Sequence, residues 1–79
     1  MKQGTEVVIK NLAKRLRELR TDTGLSQEAF ADSVGLDRTY IGGIERGVLN
    51  PSVKNLSKIA NGLDVHISVL FGCSGKCNR

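Results

Sequence analysis

The stretch that decides how this chain folds is Leu25-Ser26-Gln27-Glu28-Ala29-Phe30-Ala31-Asp32-Ser33-Val34-Gly35-Leu36-Asp37-Arg38-Thr39-Tyr40-Ile41-Gly42-Gly43-Ile44-Glu45-Arg46. It reads as two short helices joined by a tight corner. Ser26 is a good N-cap, because its hydroxyl can accept from a free N–H in the first turn. Phe30, Ala31 and Val34 then fall on one helical face. Gly35 ends that helix, as the residue best able to take positive φ just past a C-terminus. Asp37 is placed to cap a second helix, whose Ile41 and Ile44 face inward. Arg38, Thr39 and Tyr40 are left on its first turn, pointing outward. A helix that displays its N-terminal polar residues and is propped by a preceding helix has the geometry for entering a DNA major groove.

Working outward, Gly24-Leu25-Ser26-Gln27, Glu45-Arg46-Gly47 and Asn50-Pro51-Ser52 sit where the Xre family of Cro/C1-type helix-turn-helix regulators has them. The resemblance runs from Leu12 to Phe71. Leu36-Asp37-Arg38-Thr39-Tyr40-Ile41 followed by Gly43-Ile44-Glu45-Arg46 looks most like the restriction–modification controller proteins. The resemblance implies an all-α, five-helix, lambda-repressor-like domain with its helix-turn-helix at about 26–46. It also implies that Arg20 pairs with Glu45 to tie the first helix to the end of the reading helix. Gln27 becomes a DNA-backbone contact, and the region after the reading helix becomes a clamp on the same backbone.

Composition limits the alternatives. Seventy-nine residues make one domain near the lower size for a self-sufficient core. With 39% hydrophobic and 25% charged residues, the chain is globular rather than disordered. No apolar run approaches the length of a membrane span, and no signal-peptide pattern opens the chain. A cytoplasmic location is expected. Residues 1–37 hold six basic and six acidic side chains, whereas residues 38–79 hold six basic and two acidic. The whole excess of +4 therefore begins at the reading helix, a placement that suits a polyanion on one side of the molecule.

Before the motif, Ile9, Leu12, Leu16 and Leu19 recur at three and four residues, an amphipathic helix expected from Val7 onward. Met1–Glu6 shows no pattern and is expected to fray. Lys10, Lys14, Arg15 and Arg17 occupy the other faces, where plain solvation accounts for them. On the reading helix, Arg38 has a planar fork that can meet O6 and N7 of guanine together. Thr39 offers a hydroxyl and a methyl. Tyr40 suits either a phosphate or groove contact, or partial burial against the preceding helix. Gly42 and Gly43 are anomalous, since each glycine inside a helix costs roughly 1 kcal/mol relative to alanine. Gly42 stands where many members of the family place another base-reading side chain. Both glycines are assigned to the base-reading surface, where a bare backbone can approach DNA closely, with neutral drift the equal alternative.

After it, Pro51 biases Asn50 toward an extended conformation, and Ser52 caps a fourth helix. Val53, Leu56, Ile59, Ala60 and Leu63 are expected to line that helix's inner face. Arg46, Asn50, Ser52 and Lys54 are read as phosphate contacts, with Lys58 a weaker candidate. Asp64 stands where members of the family often have Gly for a left-handed turn, and His66 where they often have a Ser cap. A lone His without matching spacing is no metal ligand. Cys73 and Cys77 alone cannot complete a zinc site and are read as free thiols. The division expected is a DNA-binding domain over 1–72 and a flexible tail over 73–79.

No convergent set of nucleophile, base and acid is present, so an enzyme is not expected. Nothing calls for a cofactor, a metal, a membrane or a small-molecule ligand. The expected partners are double-stranded DNA and a second copy of the chain. Ile67, Val69, Leu70 and Phe71 crowd a helix of barely two turns and exceed what the core can take. That count predicts a homodimer on Ile67, Val69 and Phe71, with Leu70 facing inward. The function expected is a transcriptional regulator binding a palindromic operator. An antitoxin with autoregulatory DNA binding is the alternative.

Overall fold

The computed structural model describes residues 5–71. Four α-helices and one terminal 3-10 helix account for about three quarters of them: α1 (Thr5–Thr23), α2 (Gln27–Val34), α3 (Arg38–Glu45), α4 (Val53–Leu63) and the 3-10 helix Ile67–Phe71. There is no strand among the described residues. The first helix starts at Thr5, so Thr5 and Glu6 belong to it rather than to a frayed start. Met1–Gly4 and the tail from Gly72, with Cys73 and Cys77, lie outside the described residues.

Local chemistry sets most helix boundaries. The Ser26 hydroxyl accepts from the Ala29 N–H at 3.1 Å, and the Ser52 hydroxyl from the Asn55 N–H at 3.2 Å. Gly35 ends α2 with φ 74° and its N–H on the carbonyls of Ala31 and Asp32. Asp64 closes α4 in the same left-handed region at φ 59°, the one non-glycine among the described residues to do so. An aspartate tolerates that conformation better than most side chains. Asp37 has the extended backbone of an N-cap, but its carboxylate caps nothing. His66 fills the position where a serine cap was expected, its Nδ1 accepting the Ser68 N–H at 3.1 Å.

These helices enclose an aliphatic core around a single phenylalanine. Leu16, Phe30, Ile41, Ile44, Ile59 and Leu70 are the largest fully buried side chains, each worth about 1.5–3 kcal/mol of burial. Leu12, Ala31, Leu56 and Ala60 complete the cluster, and Leu19, Val34 and Leu63 pack against it. Val53 departs from its expected inward place and is 72% exposed. It is the first residue of α4, at the edge of the helix's apolar stripe, where nothing covers it.

The C-terminal helix is where the apolar count misleads. A 3-10 helix turns about 120° per residue, which aligns Ile67 with Leu70 and sets Phe71 beside Ser68. Ile67 and Leu70 accordingly pack on the core, and Val69 is only 8% exposed. Arg15 of α1 reaches this turn, its Nε donating to the Val69 carbonyl at 3.3 Å. Phe71 alone of the three expected interface residues is well exposed, at 42%. Of the expected patch of Ile67, Val69 and Phe71, Val69 is buried and Ile67 packs on the core, which leaves Phe71 exposed. The count of apolar residues overestimated what would stay outside, because the 3-10 turn brings Val69 as well as Ile67 and Leu70 against the rest of the fold. No helix among the described residues is long and apolar enough to cross a membrane.

Candidate nucleic-acid interface

An eight-residue helix with two internal glycines has little stability of its own. What holds α3 is tertiary. Ile41 and Ile44 are completely buried. At its C-terminal end, Arg20 grips the Glu45 carboxylate with two bonds, Nε to Oε2 at 2.6 Å and Nη2 to Oε1 at 3.1 Å. Gln27 Nε2 donates to the same Oε1 at 3.0 Å, so α1, α2 and α3 meet at one carboxylate. Arg20 Nη1 also donates to the Leu25 carbonyl at 2.8 Å, fixing the turn before α2. The Glu45 side chain is 4% exposed and that of Arg20 is 14%. The hydrogen bond to Glu45 pushes the Arg20 guanidinium above its ordinary pKa, and desolvation works against that.

At the other end of α3, Arg38 and Thr39 are exposed on the first turn, free to meet a ligand. Tyr40 is half-buried against the core, and its hydroxyl accepts from Asn55 Nδ2 at 2.9 Å. A phenol that accepts in this way keeps its own proton for an outside acceptor such as a phosphate oxygen. The bond also joins the first turn of α3 to the first turn of α4. Ser52, the N-cap, and Lys54 are both exposed at that same end of α4. Asn55 was not singled out from the sequence. One asparagine beside a serine cap carries no signal, because its partner lies 15 residues away.

The two glycines play a different part from the one expected. Both are buried, which corrects their assignment to the base-reading surface. A Cβ on Gly43 would lie 2.6 Å from Leu49 Cδ1, so the missing side chain admits Leu49 against the helix. A Cβ on Gly42 would lie 3.3 Å from Arg46 Nη1 and 3.4 Å from Gln27 Oε1. Gly42 is thus covered by the side chains of Gln27 and Arg46. Gln27 is committed through one amide N–H to Glu45 and retains a second for a phosphate. Arg46 and Asn50, on and after the end of α3, are exposed, as is Lys58 on α4.

The surface therefore offers a projecting guanidinium and hydroxyl on a helix N-terminus, flanked by donors and cations, the chemistry of a duplex-reading face. Residues 16–70 match the helix-turn-helix family. The chain is 51% identical over 61 residues to the control protein C.MunI of a Mycoplasma species, covering 77% of this chain and 80% of that one. Among solved structures, the restriction-modification controller protein C.AhdI from Aeromonas hydrophila is similar with a TM-score of 0.77 and 51% identity, over 80% of this chain and 96% of that chain. The controller protein C.Esp1396I, solved as a tetramer in complex with its natural 35 base-pair operator, gives 0.75 and 34% over 89% and 90%. The chain belongs to the Cro/C1-type helix-turn-helix family, as a DNA-binding transcriptional regulator similar to the restriction–modification controller proteins.

Proposed function

We propose that this chain is a sequence-specific regulator that binds a palindromic operator in double-stranded DNA as a homodimer. In this reading α3 enters the major groove. Arg38 meets a guanine through its two-pronged fork, and Thr39 and the Tyr40 hydroxyl contact a neighbouring base or phosphate. Gln27, Arg46, Asn50, Ser52 and Lys54 hold the backbone on either side. The observation that carries the reading is the 2.9 Å bond between Tyr40 and Asn55, which unites the exposed reading turn with the Ser52–Lys54 turn in one surface. A DNA target places the protein in the cytoplasm.

The second copy is needed because one eight-residue reading helix touches too few bases to specify a site alone. Of Ile67, Val69 and Phe71, Phe71 is the one left exposed for that contact, beside Asn11, Lys14 and Glu18 of α1. A two-fold axis there gives an isologous interface and sets the reading helices about 34 Å apart, one turn of DNA. Selection of bound duplexes from a random pool tests the whole reading. A palindrome with half-site centres about 10 base pairs apart is expected, and recovery of no motif would overturn it. Sedimentation of Phe71→Asp should show a monomer where the unaltered chain is a dimer. A variant that still dimerises would move the interface elsewhere.

A further inference from the structure

We infer that Arg17, on α1, is a DNA-backbone contact, and that the cleft between α1 and the end of the reading helix seats one phosphate. This rests on the DNA-binding reading above and extends its footprint to the first helix. The cleft is lined by Arg17, Arg20, Gln27, Glu45, Arg46 and Val48. Within it the charges are unequal in availability. Arg20 and Glu45 neutralise each other, and the carboxylate, 4% exposed, also accepts from Gln27. It therefore presents little negative charge to an arriving anion. Arg17 and Arg46 have no ion-pair partner among the described residues, and both are exposed. Two uncompensated guanidinium groups thus face one depression that a buried ion pair helps to floor. Such a concave cationic site concentrates field on a polyanion.

Gly42 supplies the second part of the argument. Arg46 Nη1 and Gln27 Oε1 both lie over it. A Cβ there would displace the tip of Arg46 by a few tenths of an ångström and meet Gln27 at ordinary contact distance, so the bare glycine lets both tips rest on the helix. The anomalous glycine thereby seats the Arg46 guanidinium, which lines the cleft, close against α3. The cleft stands at the C-terminal end of α3, whereas the base-reading residues stand on its first turn. A ligand there is a phosphate of the backbone, and the contact carries no sequence information.

The test compares Arg17→Gln with Lys10→Gln, which removes an equal charge from the exposed surface of α1 but lines neither this cleft nor the depression beside Phe71. Affinity for the selected operator and for an unrelated duplex is measured by fluorescence anisotropy across a range of salt. Arg17→Gln should weaken both duplexes by the same factor and make the slope of log K against log salt shallower by about 0.9, one phosphate contact. Arg17→Lys should restore the slope, since a phosphate accepts a point charge. Lys10→Gln should leave it as it was. An unaltered slope in Arg17→Gln overturns the inference, as does an equal change in Lys10→Gln, which would report net charge alone. Loss confined to the operator would also overturn it, because that marks a base contact. If the unaltered protein binds neither duplex, the DNA-binding reading fails as well. If it binds and only Arg17 proves silent, that reading stands and this one falls. Thermal melting of each variant confirms that the exposed substitutions leave the fold intact.

Discussion

Arg20→Ala isolates the tie between the first helix and the reading helix. The substitution deletes both bonds to Glu45, at 2.6 and 3.1 Å, and the bond to the Leu25 carbonyl. It leaves a carboxylate that is 4% exposed with Gln27 as its one remaining side-chain donor. Removing one partner of a buried pair costs about 3–5 kcal/mol. The lower figure applies here, because Arg20 is 14% exposed and Gln27 continues to bond. A chain of 79 residues is worth about 4–12 kcal/mol in total. A loss of about 3 kcal/mol lowers the melting temperature by roughly 12–24 °C in a domain of this size. Urea denaturation followed by circular dichroism measures it. The double variant Arg20→Met/Glu45→Leu separates the ion pair from packing. Without a stranded charge, it should recover most of the stability lost in Arg20→Ala. DNA affinity should nevertheless stay low in the double variant if the pair also aims α3. Arg20→Ala within about 0.5 kcal/mol of the unaltered chain would refute the argument, since only ordinary surface substitutions behave that way.

Other substitutions separate the roles assigned to neighbouring residues. Arg38→Ala should weaken operator binding by about 1–3 kcal/mol and relax selectivity at one base pair per half-site; equal losses on operator and random DNA would reduce Arg38 to a phosphate contact. Lys54→Ala should weaken both kinds of duplex and flatten the salt slope by about 1, and an unaltered slope would place it off the backbone. Gly43→Ala should be destabilising in urea despite alanine's better helix propensity, because overpacking against Leu49 costs about 1–3 kcal/mol and propensity returns about 1. A more stable Gly43→Ala would show that Leu49 moves aside freely.

Much of the fold was legible because its signals are local. Ser26, Ser52, Gly35 and Asp64 act at the positions where cap and turn chemistry puts them. The periodic residues Leu12, Leu16, Phe30, Ile41, Leu56 and Ile59 all reached the core. What the sequence hid depends on partners distant along the chain. A helix propensity scale counts Gly42 and Gly43 as penalties and has no means of registering Leu49, Gln27 or Arg46 above them. Tyr40 left two readings open, and the choice rested on Asn55 in another helix. Val69 was misplaced because a count of apolar residues sets how many the core can take but not which, and the 3-10 turn buries it. Val53 carries the same lesson in reverse, since a periodic position at a helix end has no neighbour to pack on.

The reading helix gathers these contacts into one dependence. Its ends are held by different elements: Glu45 by Arg20 and Gln27, and Tyr40 by Asn55 of α4. Its middle is held by Ile41 and Ile44 beneath and by Leu49 against Gly43. With eight residues and poor intrinsic helicity, α3 has no orientation that these contacts do not impose. Base recognition tolerates little displacement, because a two-pronged guanidinium contact needs both of its bonds in line. Under the proposed DNA-binding reading, stability and specificity are therefore coupled in this domain through contacts, such as those of Arg20, Leu49 and Asn55, to which no role in binding DNA is assigned. Substitutions at Leu49 and Asn55 belong with those at Arg38 in any account of which operator it selects.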